Sequence, residues 1–207
     1  MMEKIKTKYV TGGDNPKLFF TSDTHFGHEL IRKVCYRPFD TVDEMDERMI
    51  ENWNNVVGKD DIVFHLGDFA FGGSQLWNGI LERLNGHKIL ILGNHDRKNY
   101  REGYSKYFDY VGQQLQLNID GRSVYLNLYP FLCYGGTYRR DEDLVYQLFG
   151  HVHTCPERYK GKDFDRLYIL FPYQYDVGVD NNNFTPISWE AVNEKINEQK
   201  NGSKALQ

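Results

Sequence analysis

Three short apolar runs stand out in the first half of the chain, at residues 17–22, 61–66 and 88–92. Each run is bounded by turn-forming or charged residues. Apolar runs of this length with turn signals at their ends are typical of buried β-strands. The pattern therefore predicts three strands in the interior of the protein.

The segments between these runs have the apolar periodicity of amphipathic helices. Thr41 and Glu44 have the spacing of a capping box, and the apolar positions that follow predict one amphipathic helix ending near Gly58. A second predicted helix begins at Ser74 and stops at residues 85–86. Strands that alternate with helices indicate βαβ units and a largely parallel inner sheet.

The second half shows the alternation of apolar and polar positions that is typical of β-hairpins. Residues 114–119 and 124–128 alternate on either side of the turn at Asp120 and Gly121. Further short strands are predicted at residues 145–149, 167–171 and 175–179, followed by a last helix from Ser188 to about Glu198. Together these elements predict an α/β sandwich with mixed sheets inside and helices outside.

Length and composition fit a single domain with an ordinary core. The chain has 207 residues, of which 40% are apolar, and no repeat or linker divides it. We expect one domain over residues 1–207, with a polar tail from about residue 197. The formal net charge of −4 provides no excess of basic residues for a polyanion, so strong nucleic-acid binding is not expected.

The cysteines and the N-terminus bear on the cellular compartment. Cys35, Cys133 and Cys155 are widely spaced and form no Cys-x-x-Cys pair, which argues against a disulfide framework and a thiolate zinc site. The charged N-terminus lacks the apolar stretch of a secretory signal, and no apolar run approaches the length that spans a bilayer. We expect a cytoplasmic protein without a membrane partner; the oligomeric state is left open.

Side chains of the kind that bind metals follow four of the predicted strands. The carboxyl ends of neighbouring strands in an open α/β sheet meet at one crevice, where ligands bind. The residues are Asp23 and His25 after the first strand, Asp68 after the second, Asn94, His95 and Asp96 after the third, and His151 and His153 after the strand at 145–149. Their convergence predicts a metal site.

These motifs, in this order along the chain, resemble those of the calcineurin-like metallophosphoesterases. The similarity extends over nearly the whole chain and is greatest to the small bacterial and phage-type branch. That branch typically also carries an Arg-Pro-Phe segment, here at residues 37–39, and an Asp-Val-Gly-Val-Asp segment, here at 176–180. The resemblance implies a calcineurin-like four-layer α/β/β/α sandwich of mixed β-sheets flanked by helices, and phosphoester hydrolysis at a two-metal centre.

The resemblance also assigns a ligand role to most residues of the predicted site. The ligands implied are Asp23, His25 and His153 for the first metal, Asp68 as the bridge, and Asn94 and His151 for the second metal. Imidazole and carboxylate ligands suit Mn, Fe, Zn or Ni. Two such cations lower the pKa of a shared water, so that a hydroxide is available to attack phosphorus in line.

His95 and Asp96 receive catalytic rather than ligand roles from the same resemblance. His95 would lie beside the scissile phosphate and protonate or steady the leaving oxygen, and Asp96 would orient the His95 ring. The expected reaction is hydrolysis of a phosphodiester, with a monoester as the second choice, and the expected substrate is small or nucleotide-like. Family membership fixes the reaction type and not the substrate.

One position departs from the family pattern. The family normally has a metal-binding His where this sequence has Leu128, two residues before Pro130. Leucine cannot coordinate a cation, and the simplest interpretation is that Leu128 continues the apolar alternation of its strand and packs into the core. We therefore expect the second metal site to be labile or empty. Asn127 points to the opposite face of a regular strand, so it could replace the ligand only through a bulge.

Three further residues carry weaker hypotheses. His28 lies where a short helix follows the first metal motif, and it could contact a substrate phosphate or make a hydrogen bond at the helix end. Arg37 could clamp a phosphate with its planar fork, although an exposed Arg before Pro is more often part of a surface ion pair. His65, within a predicted buried strand, is expected to be structural.

Two other functions compete with this enzyme. A non-catalytic or impaired scaffold of the same fold is the main alternative; Leu128 favours it, whereas His95 favours an enzyme. A nuclease would need a basic track that leads to the metals, and the net charge of −4 gives no support for one.

Overall fold

The computed structural model describes residues 6–135, 145–153 and 170–204, and contains two five-stranded β-sheets flanked by helices. Its strands are β1 (Lys8–Tyr9), β2 (Leu18–Thr21), β3 (Ile62–His65), β4 (His87–Ile91), β5 (Tyr110–Gly112), β6 (Leu115–Ile119), β7 (Arg122–Leu126), β8 (Val145–Phe149), β9 (Gln174–Asp176) and β10 (Ile187–Ser188). Its α-helices are α1 (Glu29–Val34), α2 (Val42–Val56), α3 (Ser74–Leu81), α4 (Asp96–Asn99) and α5 (Trp189–Lys204), and short 3-10 helices cover Glu102–Tyr107 and Val179–Asn181.

Both sheets are mixed. The first has the strand order β1-β6-β7-β8-β9, in which β6 and β7 are antiparallel and the other neighbours are parallel. The second has the order β10-β2-β3-β4-β5, in which β2 to β5 are parallel and β10 is antiparallel to β2. The expected fold class, mixed sheets flanked by helices, is therefore confirmed.

Successive side chains in the apolar runs of the second sheet point into two different hydrophobic cores. Phe20 and Phe64 belong to the core that also contains the apolar residues of the first sheet. Phe19 and Val63 belong to a separate core that includes Trp53 of α2. Because successive side chains of a strand point to opposite faces, both faces of this sheet are buried. Burial on both faces explains why these strands appear in the sequence as continuous apolar runs.

Helix boundaries follow the capping signals only in part. Thr41 caps α2 as predicted, because its Oγ1 accepts a hydrogen bond from the Glu44 amide at 3.1 Å. The next helix, α3, ends at Leu81, before the predicted stop. The chain continues there as turns, and the Lys88 ammonium donates to the carbonyl of Leu84 at 2.9 Å. The Lys88 side chain therefore satisfies a carbonyl of the turns that follow the helix.

The hairpin and the C-terminal segment also differ from the predicted boundaries. The strand β7 ends at Leu126, and Leu128 lies beyond it, although its carbonyl still accepts the Gly150 amide at 2.9 Å. Most of the strand predicted at 167–171 lies outside the described residues. The helix α5 continues to Lys204, through the residues predicted as a polar tail. In the parts of the chain that are described, no helix has both the length and the apolar character needed to cross a bilayer.

Candidate metal centre

The loops after β2, β3, β4 and β8 come together at one edge of the sandwich. The ring centroids of His25 and His95 are 5.2 Å apart, and those of His25 and His153 are 5.1 Å apart. The amide of His151 donates to Asp23 Oδ2 at 2.8 Å. Because β8 belongs to the first sheet and the other three strands to the second, the site lies where the two sheets meet.

Asp23, His25 and His153 form a group with the geometry of a metal site. Their ligand atoms all lie within 4.8 Å of one another, and all three residues are buried. Asp23 Oδ1 and both ring nitrogens of His25 have no hydrogen-bond partner. Burying such atoms unpaired costs about 1–3 kcal/mol each, so the group is favourable only if something else binds these atoms. The residues therefore fit a cation.

Asp68 lies beside this group. Its Oδ2 is 3.7 Å from His25 Nε2 and 4.0 Å from His95 Nε2. Burial, together with the negative charge of Asp23, raises the pKa of the Asp68 carboxyl to about 8. A positive ion between the Asp68 and Asp23 carboxylates would relieve the repulsion that contributes to this rise. The position of Asp68 suits a ligand shared by two ions.

The ring of His153 is oriented by Asp180, a residue for which the motifs predicted no role. The His153 Nδ1 lies 2.8 Å from Asp180 Oδ2, which leaves Nε2 facing Asp23 Oδ1 at 3.6 Å. A carboxylate on the far nitrogen fixes the ring of a metal-binding His in this way. Burial lowers the pKa of His153, but the charges of Asp23 and Asp180 outweigh burial and raise it to about 10.

Arg37 completes this arrangement through an ion pair with Asp180, and its guanidinium is not available to clamp a substrate phosphate. The ion pair is buried, whereas the other alternative expected it at the surface. The Arg37 side chain is buried, and it donates to both Asp180 oxygens at 2.8 and 2.9 Å. Nη2, one of the two donors to Asp180, also donates to the Asp23 carbonyl at 2.6 Å, and Nη1 donates to the Thr24 carbonyl at 2.8 Å. Cys35, His153 and Asp180 also approach one another, but the Arg37 charge would repel a cation from that group.

Asp96 does not have the contacts expected of a residue that orients His95. Its two carboxylate oxygens accept the amides of Asp68 at 2.7 Å, Phe69 at 2.9 Å and Gly93 at 2.8 Å. The role predicted for Asp96 is therefore corrected: its carboxylate joins the loop after β3 to the loop after β4. His95 is connected to the site through its own amide, which donates to Asp68 Oδ1 at 2.9 Å.

The same two loops approach each other so closely that a side chain would not fit between them. Gly67 has a φ of +110°, and a Cβ built on it would lie 2.7 Å from the Gly93 amide nitrogen. A Cβ on Gly93 would collide with Asp68 Oδ1. The glycines before Asp68 and Asn94 are thus explained by backbone contact.

Asn94 and His151, the residues predicted for a second metal, lie on either side of Tyr129. The ring of Tyr129 packs edge-on against His151 at 4.7 Å between centroids, and its Oη is 3.4 Å from Asn94 Oδ1. Leu128 is buried, with 1% of its surface exposed, which agrees with the expectation that it packs inside. Tyr129 was not among the predicted site residues, and its place directly after Leu128 is the one signal that could have identified it.

His28 lies at the edge of the cluster. Its ring stacks on Phe71 at 3.7 Å between centroids and is 6.3 Å from the ring of His95. His28 precedes α1 without a side-chain hydrogen bond to the helix, so the helix-end alternative is wrong. Its Nδ1 is buried without a hydrogen-bond partner. The phosphate contact stays a prediction.

His65 has the structural role that was expected of it. Its Nδ1 accepts the Gly67 amide at 3.2 Å, and its Nε2 lies 2.9 Å from Thr24 Oγ1. The Thr24 hydroxyl in turn donates to the Phe69 carbonyl at 2.7 Å. Burial lowers the pKa of His65 to about 3, so the ring is neutral. This chain of contacts holds the loops after β2 and β3 together.

Backbone strain is concentrated at the site. Nine described non-glycine residues have a positive φ, and five of them are Asp23 (57°), His25 (50°), Asp68 (57°), His151 (71°) and His153 (44°). Such conformations cost about 1–3 kcal/mol each and persist where the surroundings impose them. Their coincidence with the residues singled out by the sequence is an independent indication of a functional site.

Comparisons with known proteins agree with this arrangement. The family model for calcineurin-like phosphoesterases matches residues 16–180. An uncharacterised protein of Methanocaldococcus jannaschii is 37% identical over 132 residues, which are 56% of this chain and 75% of that protein. The Gene 66 protein of Mycobacterium phage D29 is 32% identical over 186 residues, which are 79% of this chain and 87% of that protein.

A solved structure has a similar fold. It is that of a protein of unknown function from Aquifex aeolicus, which has a TM-score of 0.67 and 26% sequence identity. The alignment covers 87% of this chain and 99% of that one. The phage relative confirms the expected similarity to the small phage-type branch.

Proposed function

The chain belongs to the calcineurin-like phosphoesterase family, and from this premise we propose that it is a metal-dependent phosphohydrolase. The proposed reaction is hydrolysis of a phosphodiester, or of a monoester as second choice, in a small or nucleotide-like substrate. The observation that carries the proposal is the buried group of Asp23, His25 and His153, in which Asp23 Oδ1 and both His25 nitrogens lack partners.

The proposed metal ligands divide between two positions. Asp23, His25 and His153 would hold the first ion, and Asn94 and His151 belong to the second. Asp68 would contact both, because a carboxylate has two oxygens and ions in such centres are ~3.5–4 Å apart. Imidazole nitrogens with carboxylate and amide oxygens suit Mn, Fe, Zn or Ni. When bound, divalent ions lower the pKa of water and neutralise charge on phosphoryl oxygens.

His95 is the proposed catalytic residue, because it combines proximity to the site with access from solvent. Its side chain is 42% exposed, whereas that of His25 is 1% exposed. A substrate could therefore reach the imidazole of His95 and not that of His25. The role of His95 is to hold a proton close to the leaving oxygen.

The test of this function is metal content and hydrolysis measured on the same samples. The protein is purified in Mn²⁺, and elemental analysis is paired with turnover of an aryl phosphodiester. His95→Ala should lower kcat by ~10²–10⁴-fold and leave bound metal unchanged. Its control is His87→Ala, since His87 is exposed and pairs with Asp109, away from the site. Loss of metal from His95→Ala would make His95 a ligand, and unchanged kcat would remove its catalytic role.

A non-catalytic scaffold is the second candidate, and Leu128 is the observation that favours it. Leu128→His separates the two candidates in the same assay. An enzyme should hydrolyse the diester without the histidine, which would only bind its second metal more tightly. A parent protein without turnover that the histidine converts into a hydrolase would be an impaired member of the family, and the enzyme proposal would then fail for this chain.

A further inference from the structure

The loss of the family histidine at Leu128 raises the question of what faces the second metal position instead. Asn127 is already engaged elsewhere, because its Nδ2 donates to the Gln113 carbonyl at 3.1 Å and its Oδ1 accepts the Tyr129 amide at 2.8 Å. The Asn127 side chain therefore stabilises a turn of the backbone after β7, as in an Asx-turn. That turn directs Tyr129 towards the site.

Tyr129 is held firmly in this orientation. Besides the contact from Asn127, its carbonyl accepts the side-chain amide of Gln147 on β8 at 2.8 Å. Its ring packs against His151, and its Oη approaches Asn94 Oδ1. The phenol oxygen thus lies beside the two residues that belong to the second metal position, and the side chain is 40% exposed.

The distance between Tyr129 Oη and Asn94 Oδ1 bears on whether both oxygens could bind one ion. At 3.4 Å, Tyr129 Oη and Asn94 Oδ1 are further apart than the ~2.5–3.0 Å of an ordinary O–H···O hydrogen bond. Two oxygens that bind one ion at ~2.0–2.2 Å, about 90–110° apart, are separated by roughly 3.0–3.5 Å. The Tyr129 hydroxyl thus makes a long hydrogen bond to Asn94 Oδ1, and the same separation also fits two neighbouring ligands of one ion.

We propose that Tyr129 supplies the ligand that Leu128 cannot, with its phenol oxygen joining Asn94, His151 and Asp68 at the second metal position. Binding forms one metal–oxygen bond, and the phenol proton leaves to solvent. The proposal rests on the proposed function and deepens it. Three oxygens and one imidazole nitrogen form a harder donor set than the family pattern implies, which favours Mn²⁺ or iron at this position.

The test is Mn²⁺ binding to metal-free protein, measured by titration calorimetry and by elemental analysis after dialysis. The parent protein should bind two Mn²⁺ ions with separable affinities. Tyr129→Phe should retain the first ion and bind the second at least tenfold more weakly, within the ~10–100-fold range of supporting contacts to a metal site. Tyr107→Phe is the matched control, because it also removes one hydroxyl, which donates to Glu82 at 2.7 Å.

A spectroscopic readout tests the bond itself. Parent protein loaded with Fe³⁺ should show the visible charge-transfer absorption of an iron–phenolate bond. Tyr129→Phe should lose this absorption, and Tyr107→Phe should keep it. Retention of the band in Tyr129→Phe would show that a different phenol binds the iron, and absence of the band from the parent would exclude a phenolate ligand. Either result overturns the proposal.

Failure of the ligand proposal is distinguishable from failure of the function. If the parent binds no Mn²⁺ at all, the metal-dependent function is wrong and the ligand proposal falls with it. If a first ion binds to the parent and to both variants but the second is unaffected by Tyr129→Phe, only the ligand proposal is wrong. Tighter binding of the second ion to Tyr129→Phe would mean that the phenol ring obstructs the position, which also overturns the proposal.

Discussion

At the scale of single residues, Asp96 shows how one carboxylate can determine the shape of a site without touching a ligand atom. Its oxygens accept the amides of Asp68, Phe69 and Gly93, in two different loops. One of these amides belongs to Asp68, and Gly93 directly precedes Asn94, so Asp96 acts on two proposed ligands at once. A buried carboxylate with three amide donors satisfies groups that no other arrangement of these loops would pair.

Asp96→Asn should therefore lower stability as well as activity. The asparagine keeps one acceptor oxygen but directs an NH2 group at backbone amides that need an acceptor, a loss of about 1–3 kcal/mol in the free energy of unfolding. Urea unfolding of the metal-free parent and variant measures this loss in unfolding free energy. If Asp96 acted only by orienting His95, the variant would lose turnover and keep its unfolding free energy, and the role assigned here to Asp96 would be wrong.

Sequence patterns located the candidate residues but not their partners. The motifs placed Asp23, His25 and Asp68 at strand ends, and the structure brings them together there. The pairing of Arg37 with Asp180 joins residues 143 positions apart, and nothing local in either segment encodes it. The ion pair considered for Arg37 was a surface pair, whereas its actual partners, a distant carboxylate and two carbonyls, are contacted by a buried side chain. Tertiary contacts decide such roles.

At the scale of elements, α2 is attached to the loop after β2 through a buried carboxyl group. Asp46, on the buried face of α2, accepts the Gly27 amide with both oxygens, at 3.1 and 2.8 Å. Gly27 lies between His25 and His28, so this contact connects the helix to the loop that carries them. Burial, with the nearby charge of Asp43 adding to it, raises the pKa of Asp46 to about 7, although the Gly27 amide opposes the shift.

This shift predicts a pH dependence of stability. Because the pKa of Asp46 is raised from 3.8 in the unfolded chain to about 7 in the folded protein, folding favours the protonated carboxyl. Its stabilising contribution is complete below about pH 4 and is lost as the pH rises through about 7. Asp46→Asn carries no such proton and should gain stability relative to the parent over that window.

The measurement is urea unfolding of both proteins at about pH 5 and about pH 8, in buffers free of divalent metal. The unfolding free energy of Asp46→Asn, relative to that of the parent, should be greater at the higher pH. Glu51→Gln is the control, since Glu51 lies on the exposed side of α2 and is not among the charges that raise the pKa of Asp46. A difference that does not change with pH, or that changes equally for Glu51→Gln, contradicts the assignment.

Element boundaries could be predicted where local chemistry fixes them. The strands β2, β3, β4 and β8 and the capped start of α2 agree with their apolar runs and capping signals to within two residues. The polar segment from about residue 197 continues α5 instead, because the side chain of Gln199 donates to the carbonyls of Pro172 and Gln174, both at 3.0 Å. A polar tail and a docked polar helix have the same composition, and only the tertiary contact distinguishes them.

At the scale of the whole molecule, the proposed metal centre joins the two sheets. Asp23, His25 and Asp68 follow strands of the second sheet, whereas His151 and His153 follow β8 of the first. A Cβ on Gly150 would collide with the side chains of Ser22 and Asp23, so the backbone after β8 packs directly against the side chains that follow β2. Ions held between these loops would bind the folded arrangement and not the unfolded chain.

Metal should therefore stabilise the entire fold. At 100 times its dissociation constant, a ligand that binds only the folded state adds ~2.7 kcal/mol, which is ~5–11 °C in Tm for a chain of this size. Mn²⁺ should raise the Tm of the metal-free parent, and a chelator should reverse the rise. His25→Ala removes a buried ligand of the first ion and should abolish most of the shift, whereas His87→Ala should preserve it. The ligand set is wrong if Mn²⁺ stabilises His25→Ala as much as the parent, since the ion would then bind elsewhere on the fold.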